Sequence, residues 1–154
     1  MSATVREAGV DDAHAAAQLL HDFNREFEEA APPVAALAER LALLLGHGDT
    51  VVLLVGSAPD GIAVLRFRPA LWSDGLECYL AELYVAPGRR GNGLGRALME
   101  AALETARQRG ADRMEIGVDE PDLAARNLYE SLGFTNRTGG ADGALMYVYE
   151  RDLR

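Results

Sequence analysis

The 154 residues are 49% hydrophobic and 25% charged, with a formal net charge of −9, which suits an ordinary single domain over 1–154 with a core of its own. No apolar run reaches the roughly 18 residues of a membrane span, the N-terminus lacks a signal-peptide layout, and the lone Cys78 excludes an internal disulfide, so a cytoplasmic chain without a membrane partner is expected. The acidity argues against nucleic acid, which asks for a basic patch, and favours approach by cations where it does more than maintain solubility.

In chain order, Ala3 to Ala8 reads as a first strand, and Asp11-Asp12 caps a helix whose Ala16, Leu20, Phe23 and Phe27 share a face. Pro32-Pro33 breaks it. A second helix sends Val34, Leu37, Leu41 and Leu44 inward and ends at Gly46. Val51 to Val55 and Ile62 to Arg68 form a strand pair turned at Asp60-Gly61, and Pro69 to Gly75 leads to a long strand, Leu76 to Val85. Met114 to Val118 reads as a buried strand, Asp122 as the N-cap of a helix over Leu123 to Leu132, and Gly133 as its left-handed terminator, with Phe134 opening the closing strands.

Ala81 to Arg96, AELYVAPGRRGNGLGR, carries the most information. A strand breaks at Pro87-Gly88, passes two arginines and the loop Gly91-Asn92-Gly93-Leu94-Gly95, and enters an amphipathic helix. Glycines let backbone approach a ligand, and a helix start offers unpaired N–H groups and a positive dipole end, so the loop suits phosphate. The Walker spacing is absent, and the dinucleotide spacing fails because Arg96 stands where its last glycine belongs.

Arg90-x-x-Gly93-x-Gly95 after Leu83-Tyr84-Val85 resembles the acetyl-CoA pyrophosphate loop of the GCN5-related N-acetyltransferase (GNAT) family. Ala125 and Tyr129, followed by Gly133-Phe134, resemble its second motif, with Asp122 where the family often has Asn. The resemblance implies a mixed α/β fold, a mostly antiparallel sheet splayed between its fourth and fifth strands and flanked by helices. It implies acetyl-CoA as co-substrate and direct acetyl transfer to a primary amine. Asn24, Arg25 and Glu26 between Phe23 and Phe27 are similar to a segment of the gentamicin-type aminoglycoside N-acetyltransferases, which makes a small cationic acceptor, an aminoglycoside or polyamine, the expected partner. Antibiotic resistance is the role that this second resemblance would carry.

The resemblance also implies roles. Coenzyme binding falls to the strand Leu83, Tyr84, Val85, to the loop Arg90, Gly91, Asn92, Gly93, Leu94, Gly95, Arg96, and to Asp122, Asn127 and Tyr129. Leu83 N–H polarises the thioester carbonyl, a donor worth about 3 kcal/mol at acyl-transfer sites. Tyr129 returns a proton to the departing thiolate. A carboxylate must deprotonate the ammonium group, and Glu82 is the candidate, with Asp119 and Glu120 as alternatives. Strand alternation sends Glu82 and Leu83 to opposite faces unless a bulge intervenes. Phe27, Glu28, Glu29, Trp72, Glu82, Asp119 and Glu120 are the candidate acceptor-pocket residues.

His14, His21 and His47 have no metal-site spacing, so no metal is expected. Cys78 reads as a packing residue. Three alternatives stay open: an acyl-CoA-binding sensor without catalysis, an acetyltransferase acting on protein N-termini or lysines, and a nucleotide-binding enzyme using the same loop. Family members often pair as dimers, which leaves a homodimer open.

Overall fold

The computed structural model describes residues 3–154, which form two compact units, one ending at Ile116 and one running from Gly117 to Arg154. In the first, β1 (Val5–Glu7), β2 (Thr50–Val55), β3 (Gly61–Pro69), β4 (Leu76–Val85) and β5 (Ala111–Ile116) lie side by side in chain order. All neighbours are antiparallel except β4 and β5, which run parallel. A parallel pair needs a long crossover, and α3 (Leu94–Gln108) supplies it. The mixed α/β architecture expected from the sequence is the one that forms.

The sheet is covered on both faces, which is why β2, TVVLLV, is buried at every position. Val52, Leu54, Ile62 and Val64 point to one face, where they cluster with Ala16, Ala17 and Leu19 of α1 (Ala13–Glu26) and Leu41 of α2 (Val34–His47). Val51, Leu53, Val55 and Leu65 are equally buried but belong to the opposite face, as does Leu98 of α3, whose side chain comes within 3.2 Å of a Cβ built on Gly61. Small residues at Ala16 and Ala17 let α1 approach the sheet closely. The left-handed terminator of α2 is Gly48, at φ 79, rather than Gly46, because the helix gains a further half-turn before the chain enters β2.

Helix α1 stops at Glu26, and Phe27 is its cap rather than its last turn. Glu28 takes φ 56, Glu29 N–H donates to Asn24 O at 2.8 Å, and Asn24 Nδ2 donates to Ala30 O at 2.9 Å. These bonds satisfy the frayed carbonyl end of the helix and fix the turn toward α2. The fifth strand starts three residues earlier than expected, and Met114 and Ile116 are only half-buried. Gly117 and Val118 lie outside it.

In the second unit, α4 (Leu123–Ser131) begins as the sequence predicts, with Asp122 Oδ1 accepting from Ala125 N–H at 3.1 Å. Gly133 takes φ 92 and ends it. The closing strands do not form among the described residues, where only Arg137 and Leu145 make an isolated bridge. Phe134 belongs to the helix terminus instead: its N–H donates to Tyr129 O at 3.1 Å and its ring meets Tyr129 edge-on at 6.0 Å. Gly139 and Gly140, at φ 75 and 112, then turn the chain before a ladder can lengthen.

Candidate active site

The site is built on the far half of β4. Parallel pairing with β5 runs from Leu76 to Leu80 and ends there, opposite Ile116. From Ala81 to Val85, β4 keeps β3 as its partner and has no strand on its other edge among the described residues. Ala86 N–H donates to Asp60 O at 2.8 Å, so antiparallel alternation turns the N–H and C=O groups of Tyr84 and Glu82 toward β3. Those of Leu83 and Val85 therefore point into the split.

One extra residue sets the side-chain directions. Leu65 pairs with Leu80 and Val64 with Glu82, leaving Ala81 as a bulge. Before it, Cys78 and Leu80 share the α3 face with their partners Phe67 and Leu65. After it, Glu82 and Tyr84 share the α1/α2 face with Val64 and Ile62. The bulge thus reverses which parity of residue meets which helix layer. The alternation of Glu82 and Leu83 needs no bulge to reconcile it: the Glu82 carboxylate projects from a face while the Leu83 N–H lies in the plane of the sheet, and both border the split.

Glu82 is accessible to solvent, yet enough protein surrounds its carboxyl that desolvation, and secondly the charge of Glu29, raises its pKa above the usual carboxylate range. Glu29 comes from the turn after α1, so that turn carries negative charge toward Glu82. Phe27 is 56% exposed and touches Phe23 edge-on at 5.4 Å, and Phe23 in turn stacks on Tyr84 at 4.8 Å. Structure therefore brings Phe27, Glu29 and Glu82 into one neighbourhood. Trp72 is not part of it. It is 92% exposed on the loop before Leu76, where Ser73 Oγ donates to Asp112 beside the start of β5. The length of β4 from Leu76 to Glu82, roughly 20 Å, separates that loop from the carboxylate.

Beyond Val85 the chain makes a 3₁₀ turn, Pro87–Arg89, and the glycine loop. Gly91 and Gly93 take φ 84 and 78, and a Cβ built on either would meet nothing within 4 Å. Open space lies above them, and the positive φ explains why glycine is required there. Gly93 is the N-cap of α3 and offers no side chain to the first-turn N–H groups, so these groups of Leu94 and Gly95 face the loop. An anionic group fits that arrangement, and an amide-bearing extended chain fits the open edge of Leu83.

The arginine side chains of this stretch have partners within the protein. Arg89 Nε lies 3.5 Å from Asp60. Arg90 donates from Nη2 to Glu26 Oε1 at 2.9 Å and from Nε to Val85 O at 3.0 Å. Asn92 Nδ2 donates to Arg89 O at 3.2 Å, pinning the loop to the turn before it. Arg96 faces Glu100 one turn on, at 4.0 Å. The sequence placed Glu26 only within the Phe23 to Phe27 segment and gave it no role of its own.

In the second unit, Tyr129 is 9% exposed, and burial, with Asp122 second, pushes its phenol up to about 12. Asp122 caps α4 through Ala125, which is the role expected of it. Asn127, Asp119 and Glu120 are exposed, and Glu120 O accepts from Arg126 Nη1 at 2.8 Å. Cys78 is 1% exposed, its thiol pushed up to about 11 by burial, as befits a packing residue. Among the described residues no group of three or more His, Cys, Asp or Glu could hold a metal ion, and no helix is long and apolar enough to cross a membrane.

Comparison with known proteins follows the same lines. A crystal structure assigned to an acetyltransferase of Arthrobacter sp. FB24 superposes with a TM-score of 0.88 at 47% identity, over 96% of this chain and 95% of that one. The mycothiol acetyltransferase of Thermobispora bispora is 40% identical over 105 residues, 66% of this chain but 30% of that protein. The chain thus spans less than a third of that relative. An aminoglycoside acetyltransferase, HMB0005, from an uncultured soil metagenomic sample shares the fold, with a TM-score of 0.74 at 22% identity, covering 94% of this chain and 99% of that one. Residues 16–134 match the model of the Acetyltransferase (GNAT) family, and the chain belongs to that family.

Proposed function

We propose that this protein is an acetyl-CoA-dependent N-acetyltransferase that acetylates a primary amine of a small cationic acceptor directly, in a ternary complex. The observation that carries the reading is the open half of β4, which ends in a glycine loop at a helix N-terminus and has a carboxylate with a raised pKa on its flank. Acetyl-CoA supplies an acetyl group activated as a thioester. The loop N–H groups at the start of α3 receive its phosphates, and the edge of Leu83 and Val85 receives its amide-bearing arm. Val85 O is already taken by Arg90, which leaves Leu83 N–H, Leu83 O and Val85 N–H for that pairing.

Leu83 N–H is a fixed donor aimed into the split, suited to an oxygen that gains charge there. Glu82 accepts the ammonium proton, since an amine without a lone pair cannot attack, and its raised pKa brings it nearer to the working pH. Tyr129 keeps its proton far above neutrality and is assigned the protonation of the departing thiolate. Glu28 and Glu29, with the chain's net charge of −9, favour a cation on the α1 side. Asp119 and Glu120 are the further carboxylates offered to it, and a family neighbour named for aminoglycosides supports the class.

Thermal shift with acetyl-CoA, coenzyme A, NAD and ATP is followed by thiol release with spermidine, an aminoglycoside and a peptide bearing a free N-terminus. Stabilisation by the coenzymes and thiol release with a small cation support the reading. Stabilisation by NAD alone overturns it. Coenzyme binding without thiol release from any amine replaces it with a sensor, and release with the peptide alone moves the acceptor class to proteins.

A further inference from the structure

The glycine loop and the end of α1 meet at one carboxylate. Glu26 Oε1 accepts from Arg90 Nη2 at 2.9 Å and from Tyr84 Oη at 3.0 Å. Arg90 also donates to Val85 O, and its guanidinium carbon lies 5.6 Å from the centre of the Tyr84 ring. Tyr84 in turn stacks on Phe23 of α1 at 12° between planes. Glu26, Tyr84, Ala86 and Pro87, together with Asp22 and Arg25, line an open depression of about 430 Å³ above this junction.

We propose that Glu26 is a positioning residue: through Arg90 and Tyr84 it ties the coenzyme loop to the C-terminal turn of α1, which leads directly into the acceptor-side residues Phe27 to Glu29. The inference rests on the coenzyme reading of the loop. Arg90 heads the glycine spacing, yet two of its donors are spent inside the protein, so its side chain fixes the loop's entry while backbone N–H groups face the ligand. Both partners are partly wet, at 27% and 45% side-chain exposure, so the pair contributes geometry more than stability. A carboxylate holding a planar guanidinium and a phenol defines an orientation that a Lys in place of Arg90 would not reproduce.

The tie makes the two sites thermodynamically linked, since displacing the loop displaces the turn. Glu26→Gln, Arg90→Lys, Arg90→Met and Glu26→Gln with Arg90→Met are compared for coenzyme A affinity by calorimetry and for acceptor KM and kcat. Each single change is expected to weaken coenzyme A and raise acceptor KM by roughly five- to twentyfold. The double variant should be no worse than the weaker single, as for residues acting through one contact. Arg90→Lys should behave like Arg90→Met. Wild-type coenzyme affinity in Glu26→Gln, or rescue by Arg90→Lys, would make Arg90 a phosphate ligand and overturn the tie. Hydrogen exchange over residues 86–93 in the coenzyme-free protein needs no coenzyme reading: faster exchange in Glu26→Gln supports the tie, and unchanged exchange overturns it even if the loop binds another ligand.

Discussion

The two halves of β4 have the same backbone and different neighbours. From Leu76 to Leu80 the strand lies between β3 and β5, and each N–H and C=O has a ladder on one side or the other. From Ala81 to Val85 it has β3 alone among the described residues, so the peptide groups of Leu83 and Val85 turn toward no strand of theirs. Unpaired backbone groups are costly when dry, and proteins keep them where something else will bond to them. The first half therefore holds the sheet together, and the second leaves a row of donors and acceptors that the proposed function gives to the coenzyme. A single residue, Ala81, marks the change and turns Glu82 to the helix layer that carries Glu29.

Proline substitution breaks the comparison most sharply. Leu80→Pro removes a ladder bond between two partners and is expected to abolish folding, read as loss of a cooperative thermal transition. Leu83→Pro removes an N–H that no strand among the described residues uses. It should leave a folded domain whose kcat falls about 100- to 1000-fold, the usual loss for one fixed donor at a developing charge. Equal unfolding in both variants would show that the second half is no more open than the first.

Glu82→Gln separates chemistry from stability. Removal of the proposed base is expected to lower kcat/KM about 100-fold or more and to remove the rising limb of the pH profile. Stability should change in the opposite direction. Because the folded pKa of Glu82 is raised, the native state binds its proton more readily than the unfolded chain. The native state therefore loses stability as pH rises from the unfolded value near ~4.3 through the raised folded value. At pH 7 the Gln variant should melt higher than the wild type, and the gap should close in melts below about pH 4. A lower Tm at pH 7 would mean that Glu82 is stabilised as a carboxylate, which the arrangement with Glu29 does not provide.

Tyr129→Phe is expected to act mainly on kcat, by about ten- to a hundredfold, with coenzyme affinity nearly unchanged in calorimetry. With the phenol pushed up to about 12, the wild-type rate should not fall up to pH 10 on account of this group. Wild-type turnover in the Phe variant would remove Tyr129 from the chemistry and leave it as a core residue against Phe134.

The sequence made legible those features that depend on local backbone demands. Gly93 at φ 78, Gly133 at φ 92 and the Asp122 cap follow from what a loop, a helix end and a helix start require of single residues. A bulge in this strand was raised as a condition, but its place at Ala81 was not legible, because AELYV alternates acceptably for either register and only pairing with β3 and β5 decides between them. The tie from Arg90 to Glu26 joins residues 64 positions apart, and local pattern does not carry such a contact. The closing strands failed for a related reason: Phe134 to Tyr149 has strand-like residues, but Gly139 and Gly140 and the docking of Phe134 on Tyr129 outweigh them.

Trp72 gives the smallest effect and tests the comparison from its other side. It is a large aromatic with 92% exposure, which in a sequence invites assignment to an acceptor pocket. Its loop is anchored at the paired half of β4, where Ala70 N–H donates to Gly75 O at 3.0 Å and Leu76 N–H donates to Gly110 O at 3.1 Å. That anchoring puts it beside the strand ends that hold the sheet, a strand's length from Glu82. Trp72→Ala should therefore change acceptor kcat/KM less than about twofold and stability by less than about 0.5 kcal/mol, as for a largely exposed surface residue. A rise of tenfold or more in acceptor KM with an unchanged melting temperature would place the acceptor along the paired half. The chemical and structural roles of β4 would then no longer divide at Ala81.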